Sequence, residues 1–412
     1  MDLLERGLAE GTVHETKLTR KLTIDGRTKI YPVYSVRLDN LFYNDQNDRI
    51  ATWVSQYKSE HGGNLGMADK EAYNKVIEQF IVESDPEAMR KTKTNIDFVG
   101  QREPGVALSD GRIVDGNRRF TCLRQLAGRD SRFNWFETVI LRKDIKINAK
   151  QIKMLELMIQ RGEESRVDYN PIDRLVGVYN DVVLNRLLTV EEYAMSTAAT
   201  EADIKKEVEL AKLMARFLEF IGAPSAFHIA RKLDLNGPLV ELHGILKGEA
   251  DEERRTDIEN AVFANLVAKP EPDMTRFVRS MKKVIKSKNG NDYLEEQLNL
   301  AESVCDALQD SLLPSSRSAL DGIMVIQNKD KDKDDGLKRK MKDSTERAVG
   351  RVNAVETRNR PLLILTKAAE AIGEIDSNIF CKLDGQQKAD ILEQIDEIDR
   401  LLDGLGDVLR VH

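Results

Sequence analysis

The sequence predicts an α+β fold, a small mixed α/β domain followed by a largely all-α helical remainder. Three observations carry that prediction. Up to residue 147, short alternating apolar runs are separated by turn-forming residues, the mark of strands and hairpins interleaved with a few helices. From Asn148 onward, apolar residues recur at a helical period almost without interruption. Charged residues make up 32% of the chain and aromatic residues only 6%, a balance suited to solvated helices rather than a β-sandwich.

The polar stretch 1–30 holds a small hairpin around Lys21-Leu22-Thr23-Ile24-Asp25-Gly26-Arg27. Residues 31–38 (YPVYSVRL) alternate and read as a strand. Residues 50–60 form a helix that His61-Gly62-Gly63-Asn64 breaks. Tyr73, Val76, Ile77, Phe80 and Ile81 lie at helical spacing, so 68–90 is expected as one longer helix. A basic polar loop follows at Lys91-Thr92-Lys93-Thr94. Ser109-Asp110-Gly111 is a turn signal between 106–108 and 112–114, which pair as a hairpin. Phe120, Leu123 and Leu126 then mark a helix, and 133–141 (FNWFETVIL) a further strand.

Residues 149–161 make one helix, and Pro171 opens another with Leu175, Val178 and Tyr179 on one face. Residues 188–194 and 201–220, joined by a turn, have the outline of a helix-turn-helix. Further helices fill 226–305, punctuated at Asn236-Gly237-Pro238 and Asn289-Gly290-Asn291. Residues 328–343 (NKDKDKDDGLKRKMKD) carry both charge signs and almost no apolar side chains, which makes them the best linker. Beyond it, 362–372 and 389–409 are helical. Ile391, Ile395, Ile398, Leu402, Leu405 and Leu409 form a stripe close to heptad spacing. The run is short, so the helix is expected to pack on its own bundle, with a homodimer through the C-terminal helices as the alternative. The expected organisation is 1–147, 148–225, 226–327, the linker 328–343 and a C-terminal helical region 344–412.

Composition excludes several function classes. The net charge is −7, which argues against a general nucleic-acid coat while leaving room for a local basic patch. Cys122, Cys305 and Cys381 are far apart and match no zinc or redox spacing, so they read as reduced thiols of a cytoplasmic protein. The five histidines include no pair at ligand spacing. No apolar run approaches about 18 residues, so no membrane span is expected.

The most informative stretch is 106–126, VALSDGRIVDGNRRFTCLRQL. It reads as strand, turn, strand, the loop Asp115-Gly116-Asn117-Arg118-Arg119, and an amphipathic helix. A glycine at the start of a helix leaves backbone N–H groups pointing outward, and the helix dipole adds partial positive charge there. Arg118 and Arg119 add two full charges. The combination suits an anion, phosphate above all; the plainer alternative is a strand-to-helix turn with two solvated arginines.

Ile113-Val114-Asp115-Gly116-Asn117-Arg118-Arg119, with a helix following, resembles the phosphate-binding box of the ParB/sulfiredoxin superfamily, in which a G-x-R-R segment follows a strand. Two more blocks fit in order. Residues 33–49, with Asn44 and Arg49, are similar to the family's first strand and its N-P-x-x-R-like segment. Ile159-Gln160-Arg161 followed by Asp168-Tyr169-Asn170-Pro171-Ile172-Asp173 looks like its E-N-I-Q-R … L-N-P-I-E junction. The resemblance covers about residues 30–220 and leaves the last half of the chain aside.

The resemblance implies a site for a nucleoside triphosphate, CTP or ATP, with Mg²⁺. Gly116 gives close backbone approach and Asn117 stands where many members have Glu. Arg118, Arg119, Arg49 and Arg161 neutralise phosphate. Asp115 caps the helix or touches the metal. The pattern departs at the second block, where Leu157 and Met158 occupy the family's Glu and Asn positions and cannot ligate Mg²⁺. Glu156 lies one position off, with Glu163 and Glu164 as further alternatives, so binding is expected to survive better than hydrolysis. Sulfiredoxins need a reactive cysteine in the loop; Cys122 lies on the helix instead and is expected to be packed and inert.

Such proteins place a helix-turn-helix after the nucleotide domain to read DNA. Here the second helix opens with Glu201, Asp203 and Glu207, which is unfavourable for DNA. A better basic face is 276–288 (RFVRSMKKVIKSK), where Arg279, Lys282, Lys283 and Lys286 point outward while Phe277, Met281, Val284 and Ile285 pack inward. The resulting expectation is nucleotide-regulated DNA binding, in partition, transcription control, or a mobile-element or phage-defence setting. The alternatives are an NTPase or nuclease with a metal site built from Asp115 and Glu156 or Glu163, and a non-catalytic interaction scaffold.

Overall fold

The computed structural model describes residues 3–24, 27–63, 65–141, 149–159, 170–311, 318–329 and 336–411. The chain is 71% helical, with one five-stranded mixed sheet confined to its N-terminal part, an α+β fold as the sequence predicts. It divides into two units, Met1–Val349 and Gly350–His412.

The first unit begins with helix α1 (Leu3–Glu10) and a long hairpin of strands β1 (Val13–Ile24) and β2 (Arg27–Arg37). Helices α2 (Ala51–His61), α3 (Lys70–Ser84) and α4 (Pro86–Val99) follow, then β3 (Gly105–Leu108), β4 (Ile113–Asp115), α5 (Asn117–Ala127) and β5 (Trp135–Leu141). The sheet order is β1-β2-β5-β3-β4; only β5 and β3 run parallel. Both faces are covered, so the central strands read as nearly continuous apolar runs. One face buries Tyr34, Val36, Ala107, Ile113, Phe136 and Ile140 against Ile77, Phe80, Phe120 and Leu123 from α3 and α5. The other buries Val33, Val106, Val114 and Val139 with Leu155 of α6 (Ala149–Leu157).

Three local expectations are corrected by the structure. The single helix 68–90 is two helices, because Pro86 lacks an N–H and sits at the first helical position of α4, with Asp85 accepting from the Ala88 N–H as its cap. Lys91-Thr92-Lys93-Thr94, expected as a loop, therefore lies within α4. The small N-terminal hairpin is much longer than its turn signal implied and is preceded by a helix.

The helical remainder continues with α7 (Pro171–Val178), a π-helical turn (Tyr179–Leu184), α8 (Val190–Thr197), α9 (Glu201–Phe220) and α10 (Phe227–Lys232). A capping box starts α8: the Thr189 side chain accepts from the Glu192 N–H, and Glu192 reaches back to the Thr189 N–H. Next come α11 (Asn236–Leu246), α12 (Glu252–Ala268), α13 (Met274–Ile285), α14 (Gly290–Ser311) and α15 (Ala319–Lys329). Asn236-Gly237-Pro238 and Asn289-Gly290-Asn291 begin helices rather than merely interrupting them. Helix α11 packs on α13, and α12 on α14.

Helix α16 (Leu337–Gly373) takes up residues 337–343 of the expected linker. The correction has a simple cause: Met341, the single methionine among those charges, is buried and pins the segment down as helix. Residues 330–335 lie outside the described residues. The second unit consists of the end of α16 and helix α17 (Gly385–Val411), linked by a short 3-10 turn at Ser377–Lys382.

Candidate anion and nucleotide site

Strand β4 ends at Asp115, Gly116 turns the chain, and α5 begins at Asn117. Gly116 has φ of +99° and occupies the N-cap position. A Cβ there would lie 2.8 Å from Phe136 Cζ, so the position combines left-handed backbone with a close approach that only glycine meets. Because the capping residue has no side chain, no side-chain acceptor covers the first turn of α5. The first bond from this turn back to the cap runs from the Phe120 N–H to the Gly116 carbonyl at 2.9 Å. The earlier N–H groups of this turn are thus without an intrahelical acceptor. Asp115 was expected either to cap the helix or to touch a metal; the N-cap position is taken by Gly116.

A cavity of about 350 Å³ lies at this helix start. Its lining brings together Arg49, Asp115, Gly116, Asn117, Arg118 and Arg119, six of the residues singled out in the sequence. Its volume falls in the range of small-molecule sites. Asn117 is 8% exposed and its amide oxygen has no hydrogen-bond partner. A buried acceptor left unsatisfied is costly, on the order of 1–3 kcal/mol.

The arginines are held from behind. Asp115 accepts from Arg119 at 3.1 Å and from Arg20 at 2.9 Å, while Arg20 also donates to the Pro104 carbonyl at 2.7 Å. This network ties the end of β4 to β1 through one oxygen, Oδ2, of the Asp115 carboxylate. Arg118 meets Asp85 at 3.3 Å, and Arg119 reaches Glu103 at 3.3 Å. Glu103 is 68% exposed, so that pair is weak and easily exchanged for a phosphate oxygen. Three arginines, Arg49, Arg118 and Arg119, and two carboxylates, Glu103 and Asp115, line the cavity.

Glu156 is not part of this site. It is 2% exposed and accepts from the Asn44 amide at 3.3 Å. It belongs to a buried cluster around Lys153, whose ammonium lies 2.7 Å from Asp48, 3.4 Å from Asp181 and 3.9 Å from Glu156. Burial opposes the Lys153 charge, but Asp48, Glu156 and Asp181 together hold it well above the usual lysine range. The expected pairing of Asp115 with Glu156 is therefore not assembled. Arg161, Glu163 and Glu164 lie outside the described residues. Cys122 is buried, donates to the Met89 carbonyl at 3.8 Å, and burial pushes its thiol up to about 11.

The sequence left several contributors unmarked. Asn47, Ser84, Thr92 and Glu103 also line the cavity, and Arg20 supports it from a strand far away in the chain. The Asp85-Pro86 pair was a readable helix start and could have placed Asp85 and Ser84 there. Arg20 had no local signal.

The basic face of α13 is largely engaged. Phe277, Met281, Val284 and Ile285 are buried as expected. Outside, Arg279 and Lys282 converge on Glu241 of α11 at 2.8 and 3.5 Å, and Lys286 donates to the Gly244 carbonyl at 2.9 Å. Lys283 is exposed. The larger surface depression, about 630 Å³, is lined by α3 and the end of α5, where Glu71 and Glu78 hold Arg124. Among the described residues, no helix is long and apolar enough to cross a membrane, and no group of His, Cys, Asp and Glu is arranged to hold a metal ion.

Compared with protein-family models, curated proteins and solved structures, the chain finds no match in any of the three.

Proposed function

We propose that the protein binds a nucleoside phosphate at the start of α5, without hydrolysing it. The observation that carries this reading is the convergence of Arg49, Arg118, Arg119 and the uncapped helix start on one cavity, which Asn117 also lines. Phosphate oxygens take the arginines and amide N–H groups. A ribose hydroxyl or base amino group meets Asn117. Binding is favoured over turnover because Asp115 is held by two arginines and Glu156 lies in a separate buried cluster. Mg²⁺, if carried by the nucleotide, enters with it. DNA as a second ligand has thinner support, since Glu241 and the Gly244 carbonyl engage three of the four cations expected to contact it.

Calorimetric titration with CTP, ATP and GTP in the presence of Mg²⁺ tests the reading, beside an Arg118→Ala/Arg119→Ala variant. Selective binding by the parent is expected, weakened on the order of 100-fold or more in the variant as two charge-assisted contacts are lost. Absence of binding by the parent overturns it. Steady phosphate release by the parent would overturn the non-hydrolysing part alone.

A further inference from the structure

The second unit is a surface without a core. Of the described residues from Gly350 on, none is buried. This stretch nevertheless holds sixteen of the 24 exposed large hydrophobic side chains among the described residues. That concentration far exceeds what scattered surface side chains produce.

The pattern on α17 specifies what kind of contact covers it. Ile391, Ile395, Ile398, Leu402, Leu405 and Leu409 alternate steps of four and three residues, a heptad seam. Leu401 and Val408 precede seam positions by one residue, and Leu392 follows one. Three apolar positions per heptad make a face wider than a two-stranded coiled coil needs, and of the width a helical bundle buries. On α16, Leu362, Leu365, Ala369 and Ile372 repeat the same three-four spacing, seven residues beyond Val355. Gly404 and Gly406 lie inside α17, where glycine lowers the intrinsic stability of a helix, so this helix depends on packing for its persistence.

Charge identifies the partner. Between Gly350 and Gly373 the chain has four basic residues against two acidic; α17 has seven acidic against three basic. Each segment therefore carries the complement of the other's charge, and a second copy brings both complements at once. An acidic helix is poorly suited to an anionic membrane surface, which selects basic polar faces. Sixteen side chains, each about half exposed, present on the order of 1,000 Å² of apolar surface, above the roughly 800 Å² that each partner contributes to a standard interface.

We infer that residues 350–411 are a dimerisation module, in which the end of α16 and α17 of one chain close a four-helix bundle with the same segments of a second copy. The end of α16 lies against the second copy's α17, and the two apolar seams meet in the middle.

Sedimentation equilibrium of the full chain is the test. The parent is expected at twice 46.7 kDa, and a Leu402→Glu/Leu405→Glu variant at 46.7 kDa with the thermal transition of the first unit retained. Two charge-reversed chains, Arg358→Glu/Arg360→Glu and Asp399→Arg/Asp403→Arg, should each dimerise at least tenfold more weakly than the parent, and recover when mixed. Recovery on mixing separates pairing between chains from a hairpin closing within one chain, which mixing cannot repair. A parent of 46.7 kDa overturns the inference, whether it is monomeric alone or found on vesicles. So does a Leu402→Glu/Leu405→Glu variant that stays dimeric.

Discussion

The Asp115 carboxylate holds the Arg119 guanidinium at 3.1 Å across the turn that starts α5. The same oxygen accepts from Arg20 at 2.9 Å, so one acceptor fixes two cations on two different elements. Asp115 thereby sets the direction of Arg119. An Asp115→Asn variant keeps the shape but loses the charge that both arginines need. We expect a stability loss of about 1–3 kcal/mol in urea unfolding and weakened nucleotide affinity through misplacement of Arg119. A variant that binds normally would show that Arg119 is positioned by the cavity itself.

Gly116 tests the close approach of the backbone. With φ of +99° and Phe136 Cζ at 2.8 Å from the site of a Cβ, Gly116→Ala must either move the ring or unwind the first turn of α5. The strained backbone alone costs roughly 1–2 kcal/mol. Thermal unfolding should show the loss, and titration should show weaker binding, because Phe136 also forms the floor under β3. A fully stable, fully binding alanine variant would mean that the loop relaxes at no cost.

How much of this was legible in the sequence follows from the range of the interactions. Gly116, Arg118 and Arg119 stood out because strand, turn and helix start are local features of adjacent residues. Arg20 did not, because its place beside Asp115 depends on the register of β1 on β2, which shifts between Glu15 and Thr19. The α3–α4 break was written plainly in Asp85-Pro86, yet the apolar spacing of Tyr73 through Ile81 drew the helix past it. Glu156 shows the opposite failure. Motif spacing suggested a metal-facing carboxylate, but Lys153 three residues earlier occupies the same helix face and draws Glu156 into a buried ion cluster. The four cations of α13 were visible, whereas Glu241, which pairs with two of them, comes from another helix.

Lys153 is the charge that makes its cluster tolerable. Its side chain is 7% exposed, and Asp48, Asp181 and Glu156 surround it at 9% exposure or less. Lys153→Met fills similar space but removes the ammonium that lies within 4 Å of all three buried carboxylates. Removing one partner of a buried ion pair costs about 3–5 kcal/mol, and a drop of that size is expected in chemical denaturation. If the methionine variant matches the parent, the cluster contributes nothing to holding α6 against the turn at Asp48.

Asp173 gives a pH signature of its own. Burial raises its carboxyl from 3.8 to about 6, against the opposing pull of the Thr52 hydroxyl and the Arg231 guanidinium, the latter at 2.9 Å. The folded protein therefore binds this proton up to about pH 6, and the unfolded chain releases it near 3.8. Between those values the native state holds more protons, so this group's contribution to stability falls as pH rises, by up to about 1.4 kcal/mol per pH unit, and is flat above. Its side chain is only 3% exposed, which keeps solvent screening small. Other carboxyls titrate in the same range with the opposite slope, so the readout is the difference between the parent and Asp173→Asn. Urea unfolding at pH 4, 5, 6 and 7 should give a difference that changes steadily up to about pH 6 and then levels off. Parallel profiles would mean that Arg231, rather than burial, governs this carboxylate.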